Sequence, residues 1–195
     1  SGKRCCIFGC DIEINCIRLI KEIKMQTNKR KIINDPVYGS FMTLDDDILY
    51  DIISHPYFLR LQRIKQLGLS YLVYPGAMHT RFSHTLGATF LMGLAIDVLR
   101  SKNIEITPEE ALAAKIAIML HDIGHGPFSH SLEHTLTKNI HHESISKVFM
   151  QKMNEEFGGK LDMAIAIFDN TYHKHFLHQL VSSQLDMDRL DYLSR

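Results

Sequence analysis

One stretch places three imidazoles and a carboxylate within ten residues: Leu120-His121-Asp122-Ile123-Gly124-His125-Gly126-Pro127-Phe128-Ser129-His130. Imidazole nitrogen and carboxylate oxygen are the ligands that suit divalent zinc, manganese, iron or nickel. An apolar helical run, Ala111 to Met119, precedes them and breaks at Gly124 and Gly126-Pro127. Such a break lets side chains converge on one point, because glycine reaches backbone angles that other residues avoid. An isolated His-Asp pair is ordinarily a solvated helix end. Here the chain holds 12 histidines, most of them crowded between His79 and His142. Charge balance does not explain that crowding, whereas metal or acid–base chemistry does.

Two further segments offer partners. His84, in Arg81-Phe82-Ser83-His84, falls in the first turn of an expected helix, with Gly87 and Ala88 permitting close packing beyond it. In Asp186-Met187-Asp188-Arg189-Leu190-Asp191-Tyr192, helical spacing puts Asp188, Asp191, Tyr192 and Arg195 on one face. Asp188 is therefore the expected ligand, with Asp191 and Tyr192 free to touch a substrate. Asp186 lies off that face and reads as a cap.

The elements that must position these groups are almost all helices. Asn34 to Leu44 suggests a turn and a small extended element around Asp35-Pro36 and Gly39. Apolar spacing predicts helices over Asp45–Ser54, Tyr57–Leu67 after Pro56, and Ser83–Leu99. Thr107-Pro108-Glu109-Glu110 is a strong helix start, with a threonine cap and a glutamate three residues on, and it opens the helix that ends at His121-Asp122. Further helices are expected over His130–Leu136, His141–Phe157 (closed by Gly158-Gly159), Leu161–Phe168 and His173–Val181. A last one should begin near Leu185, capped by Ser183. The fold class is all-α, a helical bundle with at most a short N-terminal β element.

Residues 1–33 stand apart, as an appendage or as tag and upstream residues: Ser1-Gly2 resembles a tag scar, and Met25 could be a natural start. Residues 34–195 form the expected domain. The helical pattern runs into Arg195 without a stop signal, so a longer protein, truncated here at its C-terminal side, is expected. The composition of the whole chain, 45% hydrophobic and 23% charged, is that of an ordinary globular domain. Lys+Arg and Asp+Glu are both 22, so strong nucleic-acid binding is not expected. No run reads as a membrane span, and Cys5, Cys6, Cys10 and Cys16 match no paired zinc pattern; a cytoplasmic protein with free thiols is expected.

With His84, His121-Asp122 and Asp188 in order, the sequence resembles the HD superfamily of metal-dependent phosphohydrolases, named for an H…HD…D ligand set. Lys65-Gln66-Leu67-Gly68, Tyr74-Pro75-Gly76-Ala77, Arg81 to Gly87, Leu120 to His130 and Asp186 to Tyr192 narrow the likeness to its deoxynucleoside triphosphate triphosphohydrolase branch, which includes dGTPases and the sterile-alpha-motif/HD protein. The resemblance implies one divalent ion (manganese, iron, magnesium or zinc, with nickel acquired in purification also possible) on His84, His121, Asp122 and Asp188. It further implies His125, His130, Glu133 and His142 as phosphate-contacting and proton-transferring groups. Arg81 would clamp phosphate, where a guanidinium fork suits two oxygens. Gln66, Leu67, Asp191 and Tyr192 would contact the sugar and exclude a 2′ hydroxyl. The implied reaction is attack of water at the α-phosphorus of a dNTP, by a homo-oligomer.

Two departures are visible. Activator-reading positions around Ser54 to Arg63 correspond to Ser54, Leu59 and Gln62, so nucleotide activation of the branch's kind is not expected. Glu133 replaces the commoner aspartate, one methylene longer. His173, His175 and His178 match nothing and read as solvated. Two other readings stay open: another nucleotide phosphatase or phosphodiesterase of the superfamily, and a non-catalytic module that only senses nucleotide.

Overall fold

The computed structural model describes residues 31–44, 46–128 and 141–195. The four cysteines, the expected helix over His130–Leu136, and the site residues His130 and Glu133 lie outside the described residues. Two strands, β1 (Lys31–Asp35) and β2 (Gly39–Leu44), pair antiparallel with Ile33 opposite Met42. Asp35 turns the chain between them, its Oδ1 accepting from Val37 N at 2.8 Å, as an aspartate before a turn does.

The other regular elements among the described residues are helical. α1 (Asp47–Ser54) buries Leu49, Ile52 and Ile53, the stripe its spacing predicts. α2 (Pro56–Leu59) is capped by His55, whose Nδ1 accepts from Tyr57 N. The expected Tyr57–Leu67 helix ends there and continues only as a 3-10 turn over Arg60–Arg63. The reason is competition for backbone groups. Ile64 O accepts from Arg81 N, Gln66 N donates to His79 O, and Lys65 bridges Thr80. Those partners hold residues 64–66 extended.

α3 (Arg81–Ser101) and α4 (Pro108–Leu120) pack together at the centre. α3 starts two residues before the expected Ser83, with Thr80 accepting from Ser83 N. By length and composition it could cross a membrane, contrary to the expectation that no run reads as a span. Its buried face, however, carries Arg81, His84, Thr85 and Thr89 among the apolar side chains, the signature of a core helix that positions polar groups. α4 is apolar on nearly every side, and Ala113, Ala114 and Ile116 to Leu120 are all buried; such a helix belongs inside a core.

α5 (His142–Glu156), α6 (Asp162–Phe168), α7 (His175–Val181) and α8 (Met187–Ser194) complete the described fold. α5 closes on Gly158 and Gly159, both at positive φ. Asp186, not Ser183, caps α8: its carboxylate accepts from both Arg189 N and Ser183 N. A charged carboxylate is the stronger acceptor at a helix N-terminus.

The capping box of α4 forms as expected and does more. Glu110 accepts from Thr107 N at 2.8 Å, Tyr172 Oη at 2.7 Å and Lys174 Nζ at 2.8 Å, tying α4 to the segment before α7. Burial pushes its carboxyl up, but Lys174 and the two hydrogen bonds outweigh that and hold it at about 2. A depressed carboxylate contributes stability above its unfolded value, near 4.5, and loses it as pH falls toward 2. Glu110→Gln is therefore expected to be about 1–3 kcal/mol less stable at pH 6, and urea midpoints of the two proteins should converge by pH 2.

Candidate metal centre and substrate cavity

Four chain segments meet at the end of α4. α3 brings Arg81 and His84 on its first turn, and the end of α4 brings His121 and Asp122. α8 brings Asp188 and Asp191, and the start of α5 brings His142. The turn after α4 is fastened from two sides. Ser146 Oγ donates to His121 O at 2.7 Å and accepts from Gly124 N at 2.8 Å. Arg60, whose role had no signal in the sequence, donates to the carbonyls of His125 and Ile123. A Cβ on Gly124 would stand 2.2 Å from His142 O and 2.4 Å from Ser146 N. Those are backbone atoms that cannot step aside cheaply. Gly124→Ala is expected to cost about 2–4 kcal/mol of stability, read as a fall in Tm and a lower urea midpoint.

Both imidazoles are aimed inward by what holds their other nitrogen. His121 Nδ1 donates to Ile118 O at 2.6 Å, and His84 Nδ1 to Asp191 Oδ2 at 2.6 Å. That leaves each Nε2 facing the centre, buried and without a hydrogen-bond partner. Carboxylates surround them. His84 Nε2 lies 2.9 Å from Asp188 Oδ1 and 3.7 Å from Asp122 Oδ2. His121 Nε2 lies 3.4 Å from Asp122 Oδ1 and 3.5 Å from Asp188 Oδ1. The ligand atoms of His84, His121 and Asp122 all fall within 4.8 Å of one another. Two ligands on one ion with bonds of about 2.1 Å stand at most roughly 4.2 Å apart, so a small contraction would seat a cation. Two orphaned nitrogens among carboxylate oxygens are the donor set a divalent transition ion prefers. The residues fit such an ion.

Arg81 pairs with Asp122 and faces the same space. His125 stacks on His142 with ring centroids 4.0 Å apart and lies 3.2 Å from Asp122. Burial pushes His125 down to about 4, against the pull of Asp122, so at neutral pH it is unprotonated and able to accept a proton.

A cavity of about 740 Å³ opens onto the cluster, and Gln66, Leu67, Arg81, His125, His142 and Tyr192 line it. Gln66 is oriented by His79, whose ring nitrogen bonds its Oε1 at 2.6 Å, which leaves the amide NH₂ as its free donor. Asp191 departs from the expected sugar contact. It is fully buried, absent from the cavity wall, and holds His84. Helical spacing put it on the right face but could not tell the cavity from the packing against α3. The opposite wall, with Lys147 paired to Asp169 beside Asn170, His178 and Ser182, had no signal in the sequence. His178 is a correction: it is half-buried, bonds Ile167 O through Nδ1 and faces the cavity, whereas His173 and His175 are exposed.

The family model described as "HD domain" matches residues 81–195. The chain belongs to the HD-domain family. Its HD domain is similar to an uncharacterized protein YwfO of Bacillus subtilis, 34% identical over 86% of this chain and 40% of that protein. It is 30% identical to the human deoxynucleoside triphosphate triphosphohydrolase SAMHD1 over 89% of this chain and 34% of that protein. Among solved structures, a phosphohydrolase of Bacteroides thetaiotaomicron superposes with a TM-score of 0.81 at 60% identity, over 84% of this chain and 40% of that one. The chain thus spans about two fifths of the length of these relatives.

Proposed function

We propose that this HD domain belongs to a metal-dependent phosphohydrolase that cleaves dNTPs to a deoxynucleoside and tripolyphosphate. The observation that carries the reading is the pair of inward, unpartnered Nε2 atoms beside Asp122 and Asp188 at the floor of a nucleotide-sized cavity. Similarity to the SAMHD1 triphosphohydrolases supports the substrate class. A divalent ion held by His84, His121, Asp122 and Asp188 supplies Lewis acidity toward a phosphate oxygen and acidifies water.

The chain's own groups do the rest. Arg81 offers its fork to phosphate oxygens while keeping Asp122 oriented. His125, neutral and stacked on His142, takes up or hands on a proton near the phosphate. Tyr192, Leu67 and the Gln66 amide line the part of the cavity suited to a sugar. Water oxygen bonds to the α-phosphorus, the bond from phosphorus to O5′ breaks, and O5′ leaves with a proton. Cytoplasmic location, a homo-oligomer and manganese as the ion belong to the same proposal.

Purified protein with Mn²⁺ and each of the four dNTPs should release tripolyphosphate and deoxynucleoside, resolved by ion chromatography and reversed-phase separation. Orthophosphate or pyrophosphate as the first product would overturn the choice of bond. Binding of dNTP in a thermal-shift assay with no turnover under any ion would favour the sensing module instead.

A further inference from the structure

Behind His84, away from the cavity, lies a buried polar run that the proposed chemistry leaves unused. Asp191 Oδ2 takes hydrogen bonds from His84 Nδ1 at 2.6 Å and from Arg195 Nε at 2.7 Å. Arg195 Nη2 donates onward to Asp35 Oδ2 at 2.9 Å and to Ser83 O at 3.0 Å. The side chains of His84 and Asp191 are 0% exposed, and those of Arg195 and Asp35 2% and 4%. α3 leaves room for this run only because position 87 is glycine. A Cβ there would stand 2.0 Å from Asp191 Oδ1 and 2.2 Å from Arg195 Nη2.

We infer that Asp191, Arg195 and Asp35 are positioning residues of the metal centre, with Asp191 fixing His84 so that Nδ1 carries the proton and Nε2 faces the ion. The inference rests on the metal-binding part of the proposed function. An imidazole with no partner can offer either nitrogen; a carboxylate on Nδ1 leaves Nε2 as the ligand and makes it a better electron donor. A lone carboxylate at this depth would be costly to keep charged. Arg195 compensates it, and Asp35 balances the guanidinium in turn. The run then carries two carboxylates and one guanidinium, and its remaining negative charge sits against His84. By this route the β1–β2 hairpin is connected to a ligand through Asp35.

A network that only held the fold together would change stability and leave the ion affinity of folded protein untouched. The test uses the 195-residue chain. Co²⁺ dissociation constants are measured by competition with a chromophoric chelator in wild type, Asp191→Asn, Asp35→Asn and Arg195→Lys. The visible Co²⁺ spectrum and the metal-free Tm accompany each. Asp191→Asn is expected to weaken Co²⁺ binding 10- to 100-fold and to shift the spectrum, with a several-fold loss in Asp35→Asn and Arg195→Lys. If Asp191→Asn does not fold, Asp35→Asn decides alone, since it leaves every cavity residue in place. Affinities within twofold of wild type with an unchanged spectrum, whatever the Tm, would overturn the inference. Wild type that binds no Co²⁺ would overturn it together with the metal reading. Co²⁺ binding without dNTP hydrolysis would strike the substrate assignment only.

Discussion

His121→Ala is expected to lower kcat/KM for dNTP hydrolysis by about three orders of magnitude or more, equivalent to about 4 kcal/mol of transition-state stabilisation. His121 contributes one of the two inward Nε2 atoms of the cluster. Alanine would leave three of the four proposed ligands and an extra opening to water. The metal-free variant should also be less stable, because the imidazolium that offsets Asp122 and Asp188 is gone. His178→Ala, on the opposite wall, serves as the comparison and should keep its metal. Activity of His121→Ala within tenfold of wild type, with its folding confirmed by circular dichroism, would remove the metal from the mechanism. Chelation followed by return of Mn²⁺ gives a second reading without mutation: activity should vanish and come back.

Metal binding is also expected to strengthen steeply with pH, and the sign follows from the imidazoles. Burial pushes His121 down, but Asp122 and Asp188 outweigh it and raise it to about 9. His84 is likewise raised, the carboxylates of Asp188 and Asp191 beside its two nitrogens outweighing burial. Without an ion the His121 ring is therefore protonated near neutrality, and an incoming cation must displace that proton. Affinity should rise about tenfold per pH unit for each proton displaced, up to pH about 9. Stability of the metal-free protein runs the other way. A histidine whose folded value is raised contributes stability in full below its unfolded value, near 6.5, and loses it as pH climbs through about 9. For His121 that loss is at most about 3 kcal/mol. The Tm of metal-free protein should fall between pH 6.5 and 9 while that of Mn²⁺-loaded protein does not, so the gap between them widens. His125, held at about 4, acts oppositely and in a separate window, adding stability as pH rises from 4 to 6.5. Parallel Tm curves between pH 6.5 and 9 would contradict a protonated His121.

The candidate ligand side chains were legible in the sequence because metal-binding chemistry restricts residue types and because helical spacing fixes faces. His84, His121 and Asp122 come together as expected, and Asp188 stands against both imidazoles. The capping box at Thr107 and Glu110 was legible for a similar reason: a local motif satisfies local backbone groups. What lay beyond reading depended on partners far along the chain. Residues 64–66 leave the helical pattern for backbone groups of residues 79–81. Asp191 shares a face with Asp188, and only the packing of α8 on α3 turns it toward His84 instead of a substrate. His178 looked solvated because nothing near it in sequence reveals that α7 closes a cavity wall. Asp186 caps α8 as its place off the ligand face led one to expect, and because the helix starts at Met187 and not near Leu185, Ser183 falls outside it.

The bond between His84 and Asp191 joins residues 107 positions apart, and that between Asp35 and Arg195 joins residues 160 apart. Contacts of such long range are made late, since the entropy of closing a large loop must be met before they return anything. The ligand sphere is therefore expected to be among the last features to form as the chain folds. During synthesis, a ribosome-bound chain carrying His84, His121 and Asp122 but not yet α8 would hold its cation weakly. A pulse of metal chelator should then distinguish nascent from finished protein.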